Sequence, residues 1–253
     1  MKAKLLIVFL GIAVAFFPSC RKFFIEGNGL VTEEERALAS FDKVANEGNF
    51  EVEIINDTLF YVVVRAESNL LRYIRTHIQD GALIVDSDET INNTRPMRVE
   101  VHMPDLKALE MNGSGSIRFQ QFQTENFSAV INGSGNIYGA GIFSETRLKN
   151  SGSGNMEFNF QSVTMEAIVN GSGNIQIDGE GQVVNTQIEG SGNIEMLNYY
   201  TLNSVSVIKG SGNIYINCRD YLDADIYGSG SVFYLGNPAI VSTIMGSGNV
   251  RRY

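Results

Sequence analysis

The stretch Val169-Asn170-Gly171-Ser172-Gly173-Asn174-Ile175-Gln176-Ile177 decides the fold, because it is one of eight copies. Gly-Ser-Gly triplets occupy Gly113 to Gly115, Gly133 to Gly135, Gly152 to Gly154, Gly171 to Gly173, Gly190 to Gly192, Gly210 to Gly212, Gly228 to Gly230 and Gly246 to Gly248. Successive copies begin 20, 19, 19, 19, 20, 18 and 18 residues apart. A near-constant period of this length is the signature of a solenoid. Each triplet is followed by Asn136, Asn155, Asn174, Asn193, Asn213 or Asn249, or by Ser116 or Ser231. An apolar residue comes next in every copy, from Ile117 to Val250.

The flanks alternate with period two, which is the strand pattern. Two residues before each triplet stand Met111, Ile131, Val169, Ile188, Ile208, Ile226 and Ile244, with Asn150 as the polar exception. After the turn, the inward series continues through Phe119, Phe158, Ile177, Met196, Ile216 and Tyr234. Each unit therefore reads as strand, Gly-Ser-Gly-Asn turn, strand and a looser return connection. A single unit cannot bury its apolar face, but stacked units can. The expected fold is all-β: a single-stranded parallel β-helix of about eight coils, roughly 40 Å long at ~4.8 Å per coil. The glycines are expected to supply positive φ at the corner. Asn136, Asn155, Asn174, Asn193, Asn213 and Asn249 are expected to form a ladder of stacked amides.

Residues 30–110 are poorer in glycine and carry four strand patterns: Phe50 to Ile55, Phe60 to Val64, Ala82 to Val85 and Met97 to Met103. Asn69 to Ile74 reads as a short helix with Asn69 as its cap, and Thr32 to Glu35 resembles a capping box. This section is expected to cover the N-terminal end of the solenoid over residues 111–253.

The first residues read as an export signal. Lys2 and Lys4 precede the apolar run Leu5 to Phe17, which is too short to span a bilayer comfortably. The run ends at Phe17-Pro18-Ser19-Cys20, which resembles a bacterial lipobox. Residues 1–19 are thus expected to be a signal peptide. Cys20 is the expected lipidation site (palmitate and related acyl chains), and residues 20–29 a short linker. The expected partner is a membrane reached through that lipid. Arg21 in place of an aspartate points to the outer membrane, on either its periplasmic or its external face.

Composition narrows the function. A net charge of -9 repels phosphate backbones, so nucleic acid is not an expected partner. With Cys20 acylated, Cys218 has no disulfide partner, and its register with Ile214 and Ile216 makes it a small buried hydrophobe. The two histidines, His77 and His102, read as solvated surface residues without a zinc ligand set. Asp220, Asp223 and Asp225 read as a solvated return loop. The Asn and Ser positions are poor calcium ligands, so neither metal nor cofactor is expected. A binding module remains. Outward Tyr138, Tyr215 and Phe233 are candidates for stacking on sugars of a glycan ligand. An envelope protein is the other expected ligand, and a polysaccharide-active enzyme or a purely structural protein are the alternatives. Arg251 and Arg252 end the last coil without an apolar patch, which favours a monomer whose edge is blocked by charge.

Several motifs together resemble the putative auto-transporter adhesin, head GIN domain family. They are Gly27-Asn28-Gly29, Glu35-Arg36 with Phe41-Asp42-Lys43-Val44, Asn69-Leu70-Leu71 with Ile74, Asp80-Gly81-Ala82-Leu83-Ile84-Val85, Met103-Pro104-Asp105-Leu106 and the Gly-Ser-Gly-Asn-Ile units. The resemblance runs from about residue 28 to the C-terminus. It implies an exported β-helical protein with an adhesive or binding role, and it brings no catalytic residues.

Overall fold

The computed structural model describes residues 24–38 and 40–253. The glycine-poor section holds β1 (Ile25–Glu26), β2 (Val31–Arg36), β3 (Lys43–Asn46), β4 (Glu51–Asn56), β5 (Tyr61–Glu67), β6 (Ile74–Gln79), β7 (Ala82–Ser87), β8 (Ile91–Asn92), β9 (Arg98–Met103) and β10 (Ala108–Met111). The repeats supply β11 (Ser116–Ile131), β12 (Asn136–Asn150), β13 (Met156–Val169), β14 (Ile175–Ile188), β15 (Ile194–Ile208) and β16 (Ile214–Ile226). The last coil and a half is β17 (Val232–Leu235), β18 (Ala239–Ile244) and β19 (Val250–Arg252). Seventeen of these strands form one continuous sheet, and β1 pairs with β8 apart from it. The expected β-solenoid of about eight turns after a β-rich section is what the chain forms.

The long strands turn a corner part-way along, as β13 shows. In β13, Met156, Phe158, Phe160 and Ser162 are buried, Val163 and Thr164 are both exposed, and burial resumes at Met165, Ala167 and Val169. The inward parity flips at that pair, so the strand turns a corner there. The expected loose return connection is instead paired backbone, with Gly141 to Phe143 in register with Phe160 to Ser162. One coil thus has two faces, joined at the Gly-Ser-Gly corner and at this return edge.

The glycine-poor section extends both faces. β3 stacks in parallel on β10, and β4 stacks in parallel on the first half of β11. Between β3 and β4 lies Asn46-Glu47-Gly48-Asn49-Phe50, a degenerate corner. Its Gly48 carbonyl accepts from the N–H groups of Ser114 and Gly115 at 3.1 and 3.2 Å. The coil beyond it is made by β7 and β9, which pair in parallel with β3 and β4. An earlier segment is therefore sandwiched between two later ones. The end is closed by antiparallel strands, β5 on β9, β2 on β5, and β6 on β7. Arg36 locks this closure by donating to the carbonyls of Ile74 at 2.9 Å and Leu71 at 3.2 Å.

Several local expectations are corrected. The triplet glycines do not have positive φ; among the described residues the glycines that do are Gly29, Gly81, Gly179 and Gly236. The triplets require glycine because the coils approach so closely. A Cβ on Gly173 would strike the carbonyl oxygen of Gly154 in the preceding coil, and the contact recurs from coil to coil. At Gly81 (φ 76°), by contrast, a positive φ follows Asp80 (φ 51°) in the two-residue turn joining β6 to β7. The Asn ladder runs mainly from side chain to backbone. Oδ1 of Asn136, Asn155, Asn174 and Asn193 accepts from the backbone N–H of the next Asn at 2.8, 3.1, 2.9 and 2.8 Å. Oδ1 of Asn213 accepts from Ser231 N–H, and Asn249 N–H reaches the Ser231 hydroxyl.

Thr32 to Glu35 lies in strand β2, which pairs antiparallel with β5. The helix expected from Asn69 is a single 3-10 turn, Leu71–Tyr73, without a side-chain cap. Asn69 instead accepts from Asn28 N–H and donates to the Glu26 carbonyl. The inward Asn150 is fully buried and satisfied: it donates to Gly154 O at 2.7 Å and accepts from Gly152 N–H at 3.2 Å. Asn46 makes the same pattern at the degenerate corner.

Candidate functional site

The return edge carries a groove of about 660 Å³. Its floor follows the register Ile142, Gln161, Glu180, Tyr200, Asn217 across consecutive coils. Lining residues extend from Ile142 to Gly236, five inter-coil steps or roughly 24 Å at ~4.8 Å each. A linear ligand matches that shape.

Irregularities in the stack create the groove. Register slips between Gln176 and Gly179 in β14, and again around Tyr200 and Asn203 in β15. The coil running from Gly190 to Gly210 is one of the two 20-residue coils. Bulges re-aim side chains, and here Tyr199 turns inward while Tyr200 turns out. Tyr199 is completely buried, and its hydroxyl donates to Ser162 O at 3.2 Å. Burial pushes its ionisation well above the ordinary phenol value. A Cβ on Gly181 would meet that hydroxyl and the Ser162 carbonyl, so glycine there makes room for the Tyr199 ring beneath the groove.

The lining is amphipathic. Ile142, Val163 and Tyr200 are 47%, 46% and 65% exposed. Beside them stand the amides of Gln161, Gln182 and Asn217 and the carboxylate of Glu180. Arg219 is held by Asp220 through bonds of 2.8 and 3.0 Å, so its charge is already partnered. One free aromatic face, three amides and a carboxylate can stack on and hydrogen-bond a hydroxyl-rich chain.

The aromatics singled out from sequence are already engaged. Arg118 lies over Tyr138 at 3.9 Å, Tyr215 stacks on Phe233 at 4.8 Å, and Arg251 covers Phe233 at 4.6 Å. Tyr138 shares an outward register column with Tyr215 and Phe233 but is separated from them by Glu157, Gln176 and Glu195. Tyr200 was the residue the repeat pattern concealed; the lengthened spacing from Gly190 to Gly210 and the Tyr199-Tyr200 pair were its only traces.

Other candidates take different places. His102 is only 12% exposed at its side chain, bonds Asp57 Oδ2 at 3.0 Å and stacks on Tyr61 at 3.9 Å, so it is not a solvated histidine. That bond also holds the Asp57 carboxyl below its usual range. Asp223 and Asp225 belong to strand β16, facing out between buried Leu222, Ala224 and Ile226, rather than to a loop. Cys218 is buried with its thiol pushed up by burial, and it bonds Tyr221 O at 3.0 Å. Among the described residues, no group of three or more His, Cys, Asp or Glu could hold a metal, and no helix is long and apolar enough to cross a membrane. Cys20 and the export signal lie outside the described residues.

Comparison with known proteins gives one family, described as "Putative auto-transporter adhesin, head GIN domain", matching residues 40–238. No curated protein matches. Among solved structures, a putative adhesin from Parabacteroides distasonis ATCC 8503 aligns with a TM-score of 0.87 at 21% identity, over 91% of this chain and all of that one (100%). A putative lipid binding protein from the same organism has a TM-score of 0.84 at 24% identity, over 91% of this chain and 100% of that one. A putative adhesin from Parabacteroides merdae ATCC 43184 has 0.83 at 22%, over 91% and 99%. At these identities the likeness is one of fold.

Proposed function

Because the chain belongs to the putative auto-transporter adhesin, head GIN domain family, we propose that it is a non-catalytic adhesion module that holds an extended glycan along its return edge. The observation that carries this reading is the groove across six coils with Tyr200 at its centre, aromatic face free. The net charge of -9 and Glu180, which has no cationic partner among the described residues, favour a neutral chain over an anionic one. Linear polysaccharides repeat along one axis, as the solenoid does, so successive sugars meet successive coils. The protein is anchored through a lipid on Cys20 and sits at the outer membrane, with the rod presenting its edge to envelope or extracellular polymer.

A glycan array probed with the full-length protein tests this. Binding to neutral linear glycans is expected, weakened about tenfold in Tyr200→Ala, since a stacked aromatic contributes about 0.5–1.5 kcal/mol beyond its burial. An array on which the wild type and Tyr200→Ala give the same signals would remove the groove from the function.

A further inference from the structure

Two rows of side chains line the return-edge groove, and they differ in chemistry. One runs through Gln161, Glu180 and Tyr200. The other lies two residues further along each strand, across a buried position such as Ser162, and runs through Val163, Gln182 and Leu202. Flanking pairs hold this second row in register: Ser162 with Gly181 and Thr164 with Val183, then Glu180 with Tyr200 and Val183 with Asn203. The second row therefore alternates apolar, amide, apolar on consecutive coils. Val163 and Leu202 stand two inter-coil steps apart, roughly 10 Å at ~4.8 Å each. Of the three amides in the groove, Asn217 already donates to the Leu197 carbonyl at 3.1 Å. Gln161 and Gln182 both adjoin Val163, one on its own strand and one on the next coil.

We propose, resting on the reading of this edge as a glycan groove, that it selects β-1,4-linked chains of 2-acetamido sugars. An acetamido group carries a methyl, an N–H and a carbonyl on one short arm. A hydroxyl at the same position donates and accepts but has nothing to cover an isopropyl group. With the methyl on Val163, the N–H and carbonyl of the arm lie beside the Gln161 and Gln182 amides, each of which both donates and accepts. Successive sugars of an extended β-1,4-linked chain are turned over relative to each other. One side of the chain therefore presents the acetamido arm of every second sugar. Two coils advance about as far as one disaccharide, so the next arm on that side arrives at Leu202. The alternation of the second row matches that of the chain. Tyr200, on the same strand as Leu202, stacks on the ring that carries this second arm. Glu180 lies on the coil between the two arms, accepts from sugar hydroxyls and repels chains bearing carboxylates or sulfates.

Isothermal titration calorimetry of the full-length protein in detergent tests the inference with β-1,4-linked hexamers of N-acetylglucosamine, glucose and glucosamine. The three differ only in the substituent at C2. The acetylated hexamer is expected to bind about tenfold more tightly than the glucose hexamer, since each methyl removed from water is worth about fourfold. Val163→Ser, at an exposed position, is expected to weaken binding of the acetylated hexamer about fourfold and to leave the glucose hexamer unchanged. Equal affinities for the acetylated and glucose hexamers overturn the inference and leave the glycan groove standing. Tightest binding of the glucosamine hexamer overturns it too, because attraction of ammonium groups to Glu180 then sets the preference. So does a Val163→Ser protein weakened equally toward both neutral hexamers. If no hexamer binds, the inference falls, and the glycan array decides separately whether the edge holds glycan at all.

Discussion

At the scale of single residues, the repeat is governed by what stands too close for a side chain. The second glycine of each triplet lies against the carbonyl of its counterpart one coil earlier, while Ser172 and Gly173 N–H groups both reach Gly152 O, at 3.1 and 3.2 Å. A side chain at Gly173 would force these hydrogen-bonded coils away from each other. Gly173→Val is therefore expected to destabilise the protein by about 1–3 kcal/mol, the usual range for overpacking. The measurement is the urea midpoint, and an unchanged midpoint would contradict the close-contact reading. The flanking Asn is a second local device, since its Oδ1 satisfies a backbone N–H that the tight corner leaves without a carbonyl partner.

Among elements, Glu67 at the end of β5 ties three segments of the closed end together. The fully buried carboxylate accepts from Gly29 N–H, from Thr94 N–H and Oγ1 at 2.8 Å each, and from Arg95 N–H at 3.3 Å. Burial alone would raise its pKa; the bonds from Thr94, Gly29 and Arg95 outweigh that and bring it below the usual carboxylate range. A depressed folded pKa contributes stability that is present above the unfolded value, about 4.3, and lost as pH falls through the folded value. Glu67→Gln is expected to melt lower than the wild type at pH 7. The gap in melting temperature should shrink as pH drops below about 4. A gap independent of pH would show that the charge on Glu67 contributes nothing.

For the whole molecule, the rod joins an expected anchor near residue 20 to a groove that spans most of the regular coils. Metabolic labelling with a fatty-acid probe is expected to mark the wild type and not Cys20→Ala. Labelling that survives the substitution would refute the anchor. The closed end follows the anchor directly in sequence, since β1 begins at Ile25 and β2 at Val31. An anchor at Cys20 would thus hold the closed end toward the membrane.

Eight triplets at a near-constant period and strict alternation on their flanks were enough to determine a parallel solenoid and its inward residues. These are local or repeating properties, and a repeat shows in sequence whatever its partners are. The position of Asn46 to Phe50 between two later segments was not legible, because a single degenerate copy has no period to reveal it and stacking order is a matter of contact rather than chain order. The reason for the glycines was hidden too: positive φ and close approach select the same residue, and only the carbonyl standing against Gly173 distinguishes them. Tyr200 became visible last. It depends on a bulge that turns its neighbour inward, and exposure of that kind is a property of the stack rather than of any residue within it.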